Sequence, residues 1–526
     1  AMVLFEQRKN DYSSLSAKRY YDFYTNDVID QGSLVNQETG GNVSEATNES
    51  FVGRFNYDYK QKYLAEFIFR NDGSYRYNPD HRWGFFPGVS LGWRASEENF
   101  VKNNLNFIKN LKLRASYGET GEDAGNPFQY VEGYQTGSLK GYEFVDGTYT
   151  NAILSPSLVN LNLTWYHVKT YDAGFDLDMF KDGMLSLAFD VYRRDRAGLL
   201  ATRYLSLPNT FGASLPQENL NSDRVQGFDF SINHRGKIGE FKYAVGLNMN
   251  ISQSMNLYLE QGPFQSSYSN WKNTNAYRNK NVVWGYDIIG QFQSWDQIRN
   301  YPVYMDGSSG NIAQLPGDPI YRDVNGDGMI TPDDQLPLFR GGQTTNGNSA
   351  DYNSGQPPLQ YGINLSGEWK NWDFNALIQG AALYTINLGT EWQTPLYSDR
   401  SAPEYLLDRW HLSDPANNDS PWIPGYFPAS RSPLDAPSLR FTNDIYRRDA
   451  SYVRLKNIEV GYTIPKKVLS KANIDRFRIY VNATNLYTST DKILKMFDPE
   501  RGEGDWGGNY AYPIVKTINF GLNVTF

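Results

Sequence analysis

The sequence contains no cysteine among its 526 residues, which excludes disulfide bonds and thiolate metal sites. It also lacks any apolar run of about 18 residues, the length that a membrane-spanning helix needs. Its only histidines, His81, His167, His234 and His411, are far apart and form no zinc-protease motif. No phosphate-binding glycine loop or nucleophile elbow is present. We therefore predict that the chain is not an enzyme.

The chain also has no basic block, and its net charge is -8, which argues against a nucleic-acid partner. The first ten residues lack the basic segment and long apolar stretch of a signal peptide. Their pattern is that of a strand already in progress, so we expect the chain to begin in the middle of a longer protein.

Aromatic residues are abundant, at 15% of the chain, and many of them alternate with polar residues. In 514–526 the apolar residues Ile518, Phe520, Leu522, Val524 and Phe526 alternate strictly with polar residues or glycine. A period of two predicts a β-strand with one apolar and one polar face. We predict about 14 such strands, near 1–9, 51–59, 63–70, 86–96, 111–117, 171–179, 185–191, 228–233, 242–251, 359–366, 373–379, 449–463, 477–484 and 514–526.

The connections between these strands alternate between short and long. The shorter ones fall at 61–62, 97–108, 181–183, 236–239, 370–371 and 464–474. The long ones fall at 10–49, 74–85, 121–165, 205–223, 254–358, 385–448 and 489–512. Short turns at one rim and long loops at the other are typical of a transmembrane antiparallel β-barrel in the bacterial outer membrane. The pattern predicts extracellular long loops and a periplasmic C-terminus.

The alternative is a stack of soluble β-sandwiches, but their strands average five or six residues, shorter than those predicted here. The polar faces are rich in charge, which suits a hydrated lumen. Aromatic residues lie near predicted strand ends, where an interfacial girdle is expected: Tyr63, Trp93, Trp369, Trp372 and Tyr462. These features favour the barrel.

One loop segment, 323–334, matches the spacing of an EF-hand calcium loop. Calcium prefers six to eight oxygen ligands, and this spacing places side-chain oxygens and one main-chain carbonyl around a point. The predicted ligands are Asp323, Asn325, Asp327, Met329, Thr331 and Asp334. Prolines surround the motif, so it lies in a long loop and not between helices. The alternative is a turn rich in Asx and glycine that binds no metal.

The long loops carry seven tryptophans that could stack on a sugar ring or a peptide. These candidate ligand-binding residues are Trp271, Trp284, Trp295, Trp392, Trp410, Trp422 and Trp506. For each residue taken alone, packing against another loop or a partner protein is the alternative.

Several segments along the chain resemble the SusC/RagA family of TonB-dependent outer-membrane transporters of Bacteroidetes. They are FRNDGSYR from Phe69, RWGFFPGVSLGWR from Arg82, LKLRASYGETG from Leu111, GDPIYRDVNGDGMITPDD from Gly317, YVRLKNIEVGYTIP from Tyr452 and IYVNATNLYTSTD from Ile479. The resemblance implies a 22-stranded barrel of the plugged class. Residues 1–526 would be its C-terminal part, while the plug domain and N-terminal extension have no counterpart in this sequence.

The resemblance also implies a function: active import of oligosaccharides across the outer membrane, with a SusD-like surface lipoprotein as a lid. TonB would supply energy through the missing N-terminal part, and the apolar strand faces would contact outer-membrane lipid. Three alternatives stay open: a peptide importer on the same scaffold, a passive porin, and a secreted calcium-binding β-rich adhesin.

Overall fold

The structure is a computed structural model of the chain. It describes residues 1–21, 28–33, 35, 37–137, 142–145, 148–149, 152–154, 156–204, 210, 213–264, 266–274, 276–280, 282–306, 310–340, 357–388, 393, 401–431, 439, 441–469, 474–496, 498–500 and 514–526. No helix within these ranges is long and apolar enough to cross a membrane.

One antiparallel sheet of 14 strands dominates the structure, and its strand order follows the chain order. The strands are β1 (Met2–Arg19), β2 (Gln37–Tyr59), β3 (Tyr63–Ser74), β4 (Trp83–Arg94), β5 (Ile108–Glu122), β6 (Tyr166–Met179), β7 (Leu185–Thr202), β8 (Gln217–Ile238), β9 (Phe241–Tyr258), β10 (Leu359–Trp369), β11 (Trp372–Ala382), β12 (Tyr452–Thr463), β13 (Arg476–Ser489) and β14 (Thr517–Thr525). The prediction of an all-β fold with 14 long strands is confirmed.

The apolar face of the sheet is bare. On β14, Phe520 is 81% exposed and Leu522 is 63% exposed, and their neighbours on β13, Val481 and Ile479, are exposed too. The described residues place no second sheet against this face. A large apolar surface without protein cover is expected when the strands face lipid.

Short and long connections alternate along most of the described sheet, except that the β3–β4 connection, 75–82, is shorter than the β4–β5 connection, 95–107. Turns join β2 to β3, β6 to β7, β8 to β9 and β10 to β11, and Gly239 adopts a positive φ of 61° in the β8–β9 turn. The helices α1 (Asn99–Asn104) and α4 (Lys466–Leu469) lie in the two longer connections of this rim. The five aromatic residues predicted for a girdle all lie at strand ends on the same rim. Two of them, Trp372 and Tyr462, pack together with their ring centres 4.9 Å apart.

The predicted loop 10–49 is wrong in extent. β1 and β2 pair continuously from Met2 opposite Arg54 to Arg19 opposite Gln37, so most of that segment is strand. Both faces of this ribbon are exposed, and its sequence is polar, so the apolar alternation used for prediction is missing. The strand β8 also begins within the predicted loop 205–223, and β9 ends within the predicted loop 254–358.

The terminal strand β14 pairs with β13 along Arg476–Thr484. Within the described sheet β1 and β14 are the two outermost strands and are not neighbours.

The long connections contain short elements of their own. Their helices are α2 (Ser267–Asn273) and α3 (Trp295–Asn300), with 3-10 turns at Ile29–Gln31, Pro79–His81, Pro332–Asp334, Glu404–Leu407 and Ile493–Met496; two more such turns, Ala95–Glu97 and Lys181–Gly183, lie at the other rim. Their short strands are Gln135–Gly137, Glu143–Val145, Thr148–Tyr149, Ala152–Leu154, Val282–Gly285, Ile288–Gln291, Pro319–Tyr321, Leu336–Arg340, Thr385–Asn387, His411–Leu412, Trp422–Ile423 and Arg447–Asp449.

Two loops pack into one body, which we call the loop unit: the described residues of 282–340 and 383–451. One hydrophobic cluster surrounds Tyr321 and another surrounds Tyr446, and Ile288 packs against both. Tyr286 stacks on Phe441 across the two loops at 4.4 Å. The loops therefore have an apolar core that is separate from the lipid-facing surface.

Candidate functional site

A row of side chains crosses the sheet at one level, from β5 to β12. Its members lie opposite one another on successive strands: Arg114, Gly174, Asp190, Asp229, Asn250, Gln360, Ala381 and Tyr452. We call this set the polar row. Strand pairing alone aligns it, because side chains directly opposite across an antiparallel pair lie on the same face.

A cavity of about 700 Å³ lies along the polar row from Asp190 to Tyr452. Four neighbouring polar side chains also line it, Ser231, Asn248, Gln379 and Glu500, together with apolar and aromatic residues such as Phe230, Met249 and Tyr361. Amides, hydroxyls and carboxylates present both donors and acceptors. The cavity is thus suited to a ligand with many hydrogen-bonding groups.

The two carboxylates of the row have different partners. Asp190 pairs with Arg114, whose Nε lies 3.0 Å from Asp190 Oδ1. Asp229 accepts a hydrogen bond of 2.5 Å from the Asn250 amide and forms no ion pair with any described residue. Like charges directly opposite each other destabilise a sheet. The Asp229 carboxylate therefore lowers the stability of the fold, and folding alone does not explain its presence.

Glu500 reaches the rim of the cavity from the loop that follows β13. It accepts hydrogen bonds from Gln379 at 3.0 Å and from Lys456 at 2.8 Å, and Arg454 contacts it at 2.5 Å. Burial alone would raise the pKa of Glu500, but Lys456 and Arg454 outweigh burial and hold the pKa below its ordinary value. The loop is thereby fixed to the strand wall beside the cavity.

A buried ion pair joins the two halves of the loop unit. Asp318 is fully buried, and one of its carboxylate oxygens contacts the guanidinium of Arg431, which also donates to the Ala313 carbonyl at 2.6 Å. The other oxygen, Oδ1, accepts no hydrogen bond from the described residues. Burial raises the pKa of Asp318 to about 6, despite the opposing effect of Arg431.

The structure separates the candidate tryptophans by exposure. Trp271 and Trp295 are exposed, whereas Trp284 and Trp422 are half-buried. Trp410 is only 3% exposed and packs against Gly317 in the loop unit, where a ligand does not reach it. Trp392 and Trp506 lie outside the described residues.

The carboxylates of the calcium-like loop are engaged with main-chain N–H groups. Asp323 accepts from Gly326 at 2.7 Å and from Gly328 at 2.9 Å, and Asn325 accepts from Asp327 at 2.9 Å. The buried Asp334 accepts from Thr331 at 2.7 Å, as in a helix cap. Within the described residues, no three acidic or histidine side chains form a metal-binding group.

These hydrogen bonds are those of an Asx-rich turn. Each carboxylate oxygen keeps a second lone pair, so the contacts do not decide between turn and metal site. The calcium site, including the Met329 carbonyl, stays a prediction.

Sequence patterns missed the polar row and the buried Asp318–Arg431 pair. The alternation placed Asp190 and Asp229 on polar faces, but only the register of neighbouring strands brings them opposite each other. Asp318 and Arg431 lie on different loops, and no periodicity connects them.

Comparison with known proteins gives a consistent group of relatives, although no family model matches the chain. The receptor named TonB-dependent receptor P3 of Formosa agariphila is 29% identical over 96% of this chain and 48% of its own length. The TonB-dependent receptor SusC of Bacteroides thetaiotaomicron is 26% identical over 91% of this chain and 43% of its own length. The chain thus spans about half the length of the curated relatives that it matches.

Solved structures share the fold. A structure titled as the RagAB peptide transporter matches the whole chain with a TM-score of 0.67 at 19% identity, covering 53% of that chain. A second structure, of the same importer in its open-open state, gives a TM-score of 0.69 at 19% identity and covers 52% of that chain. At this identity the likeness shows the fold alone.

Proposed function

We propose that the chain forms part of the barrel of an outer-membrane importer of oligosaccharides, since the curated proteins that it resembles are TonB-dependent receptors, SusC among them. The receptors that it resembles are not enzymes, which confirms the prediction of a non-enzymatic chain.

The observation that carries the proposal is the cavity along the polar row. Its amides and hydroxyls lie on five neighbouring strands, β8 to β12. Oligosaccharides carry many hydroxyl groups and need matched donors and acceptors along an extended surface. A row that crosses several strands at one level supplies such a surface on the polar side of the sheet.

The proposed partners are a SusD-like lipoprotein and TonB. The lipoprotein would close over the long loops, and TonB would release the substrate through the part of the receptor that precedes these strands. The loop unit supports this proposal because it presents a rigid surface on the long-loop side, with its own buried core.

A second candidate is a peptide importer. Asp229 favours it, because a carboxylate with no cationic partner among the described residues would suit a peptide's ammonium group.

The test is an uptake experiment in a strain that lacks the chromosomal receptor and carries it on a plasmid. Cells are offered neutral hexasaccharides or mixed hexapeptides as sole carbon source, with and without a functional TonB. We expect growth on at least one hexasaccharide that requires both the receptor and TonB.

The rival functions give different outcomes. Growth on peptides only would establish the second candidate, and uptake that does not need TonB would indicate a porin. Release of the receptor from cells by buffer without detergent would contradict a barrel and support an adhesin.

A further inference from the structure

Trp271 is an exposed aromatic residue held in a rigid setting on the long-loop side. It lies in α2 and is 48% exposed. Tyr268 and Trp284 pack beside it, with the Trp284 ring perpendicular to it at 5.1 Å. These ring contacts restrict the rotamers of an exposed side chain, which costs conformational entropy.

A guanidinium group lies against this ring. Arg278 sits 5.5 Å from the Trp271 ring centre and 5.2 Å from the Trp284 ring centre. Its nitrogens donate to the carbonyls of Trp271 at 2.7 Å and Lys272 at 2.8 Å. Arg278 therefore fixes the ring through both its charge and its hydrogen bonds.

The helix that carries Trp271 is anchored at both ends. Ser266 caps it, and Lys272 donates to the Pro332 carbonyl at 2.6 Å. The segment after the helix pairs with the end of β9, where Tyr277 N–H donates to the Asn256 carbonyl at 2.7 Å. The ring is thus preorganised relative to the strand wall, which lowers the entropy cost of binding.

We propose that Trp271 is a stacking platform for a neutral sugar ring of the imported oligosaccharide, an inference that rests on the proposed function. The C–H face of a sugar packs on an aromatic face, and its hydroxyls need polar neighbours. Arg278 lies against the ring and keeps N–H donors beyond the two that bind the main-chain carbonyls of Trp271 and Lys272.

The guanidinium also selects against cationic ligands. A cation already interacts with the electron-rich face of the indole ring, so a second cation gains little from it. A neutral sugar is recognised by packing and hydrogen bonds, and salt screens such contacts little. The platform thus favours a neutral sugar over a basic peptide.

The test measures binding of neutral hexasaccharides of glucan, xylan and mannan type to the purified, detergent-solubilised full-length receptor by calorimetry. For the hexasaccharide that wild type binds most tightly, we expect Trp271→Ala to weaken binding about tenfold. Trp271→Phe should stay within about twofold, since it keeps an aromatic face. Arg278→Met should weaken binding to a smaller degree, because the ring loses its support.

Tyr304→Ala is the matched control, because Tyr304 is another exposed aromatic residue of a long loop and has no part in the platform. It should bind like wild type, and wild-type affinity should change little between low and high salt. All variants are checked for the heat-dependent gel mobility of a folded barrel. If Trp271→Ala fails this check, Trp271→Leu replaces it, since leucine keeps apolar bulk without an aromatic face.

Three results would overturn the inference. Wild-type affinity in the Trp271→Ala variant would remove Trp271 from the site while leaving oligosaccharide import intact. The same holds if that variant loses only association with the lipoprotein. Wild type that binds no hexasaccharide and imports only peptides would overturn the proposed function and the platform together.

Discussion

Asp190 and Asp229 lie directly opposite each other on neighbouring strands and line the same cavity. Only Asp190 has a guanidinium partner among the described residues. We predict that Asp229→Asn raises the free energy of unfolding by about 0.2–1 kcal/mol, because an opposed like-charge pair is removed. The temperature at which the folded receptor loses its gel mobility measures this change. Asp190→Asn serves as the comparison and should not stabilise, since it removes an ion-pair partner from Arg114.

The same substitution separates the two substrate classes. If the substrate is a neutral oligosaccharide, Asp229→Asn should change affinity little, since an amide also accepts hydrogen bonds. A loss of peptide uptake in this variant would point to the ammonium group of a peptide.

Arg478 is the cation between two carboxylates on neighbouring strands. It is 8% exposed and contacts Asp373 at 2.9 Å and Glu459 at 2.7 Å. We predict that Arg478→Met costs about 1–3 kcal/mol of stability, because both carboxylates lose their partner. This cost is smaller than that of breaking a fully buried ion pair, because both carboxylates are about a quarter exposed to water.

The matched control is Lys242→Met. Lys242 pairs with Glu368 across strands at 3.2 Å, but both side chains are well exposed. Its loss should change stability by no more than about 1 kcal/mol. Equal shifts in the unfolding temperature for the two substitutions would contradict the prediction that the buried Arg478 contributes more to stability than the exposed Lys242.

The loop unit should become less stable as pH rises from about 4 to about 6. The pKa of Asp318 is raised to about 6 in the folded state, while its ordinary value is 3.8. Between these values the folded state binds more protons than the unfolded state, so stability falls with rising pH and then levels off above about pH 6. Hydrogen exchange of the loop peptides, corrected for intrinsic rates, measures this dependence.

The control for this pH dependence is Asp318→Asn, which cannot ionise and should flatten the profile in that window. Protection that increases between pH 4 and pH 6 in wild type would show that Arg431 outweighs burial.

Calcium should stabilise the loop unit if the 323–334 segment binds it. A ligand that binds only the folded state raises stability by mass action. We predict a higher unfolding temperature of the loops in millimolar calcium than in chelator, and no such difference in the Asp323→Asn, Asp327→Asn double variant. Equal wild-type temperatures in calcium and in chelator would leave the segment as an Asx-rich turn.

The strands were predictable because one face of the sheet meets lipid and the other meets water, so that apolar and polar residues alternate along each strand. That signal fails where both faces meet water, and for this reason the ribbon of β1 and β2 was mistaken for a loop. The loop unit was not predictable in the same way, since residues such as Tyr286 and Phe441 meet through irregular backbone. The sequence identified the loop tryptophans as candidate ligand-binding residues. Only the packing in the structure separates the buried Trp410 from the exposed Trp271.

The core around Tyr446 has a consequence for the order of assembly. It joins Ala381 at the end of β11, Tyr452 at the start of β12 and Leu494 after β13. Contacts between segments so far apart in sequence form late, because the chain between them must be ordered first. The loop unit is therefore completed only after β13 has joined the sheet. A receptor arrested before that step would have most of its lipid-facing wall but no finished surface for capturing substrate.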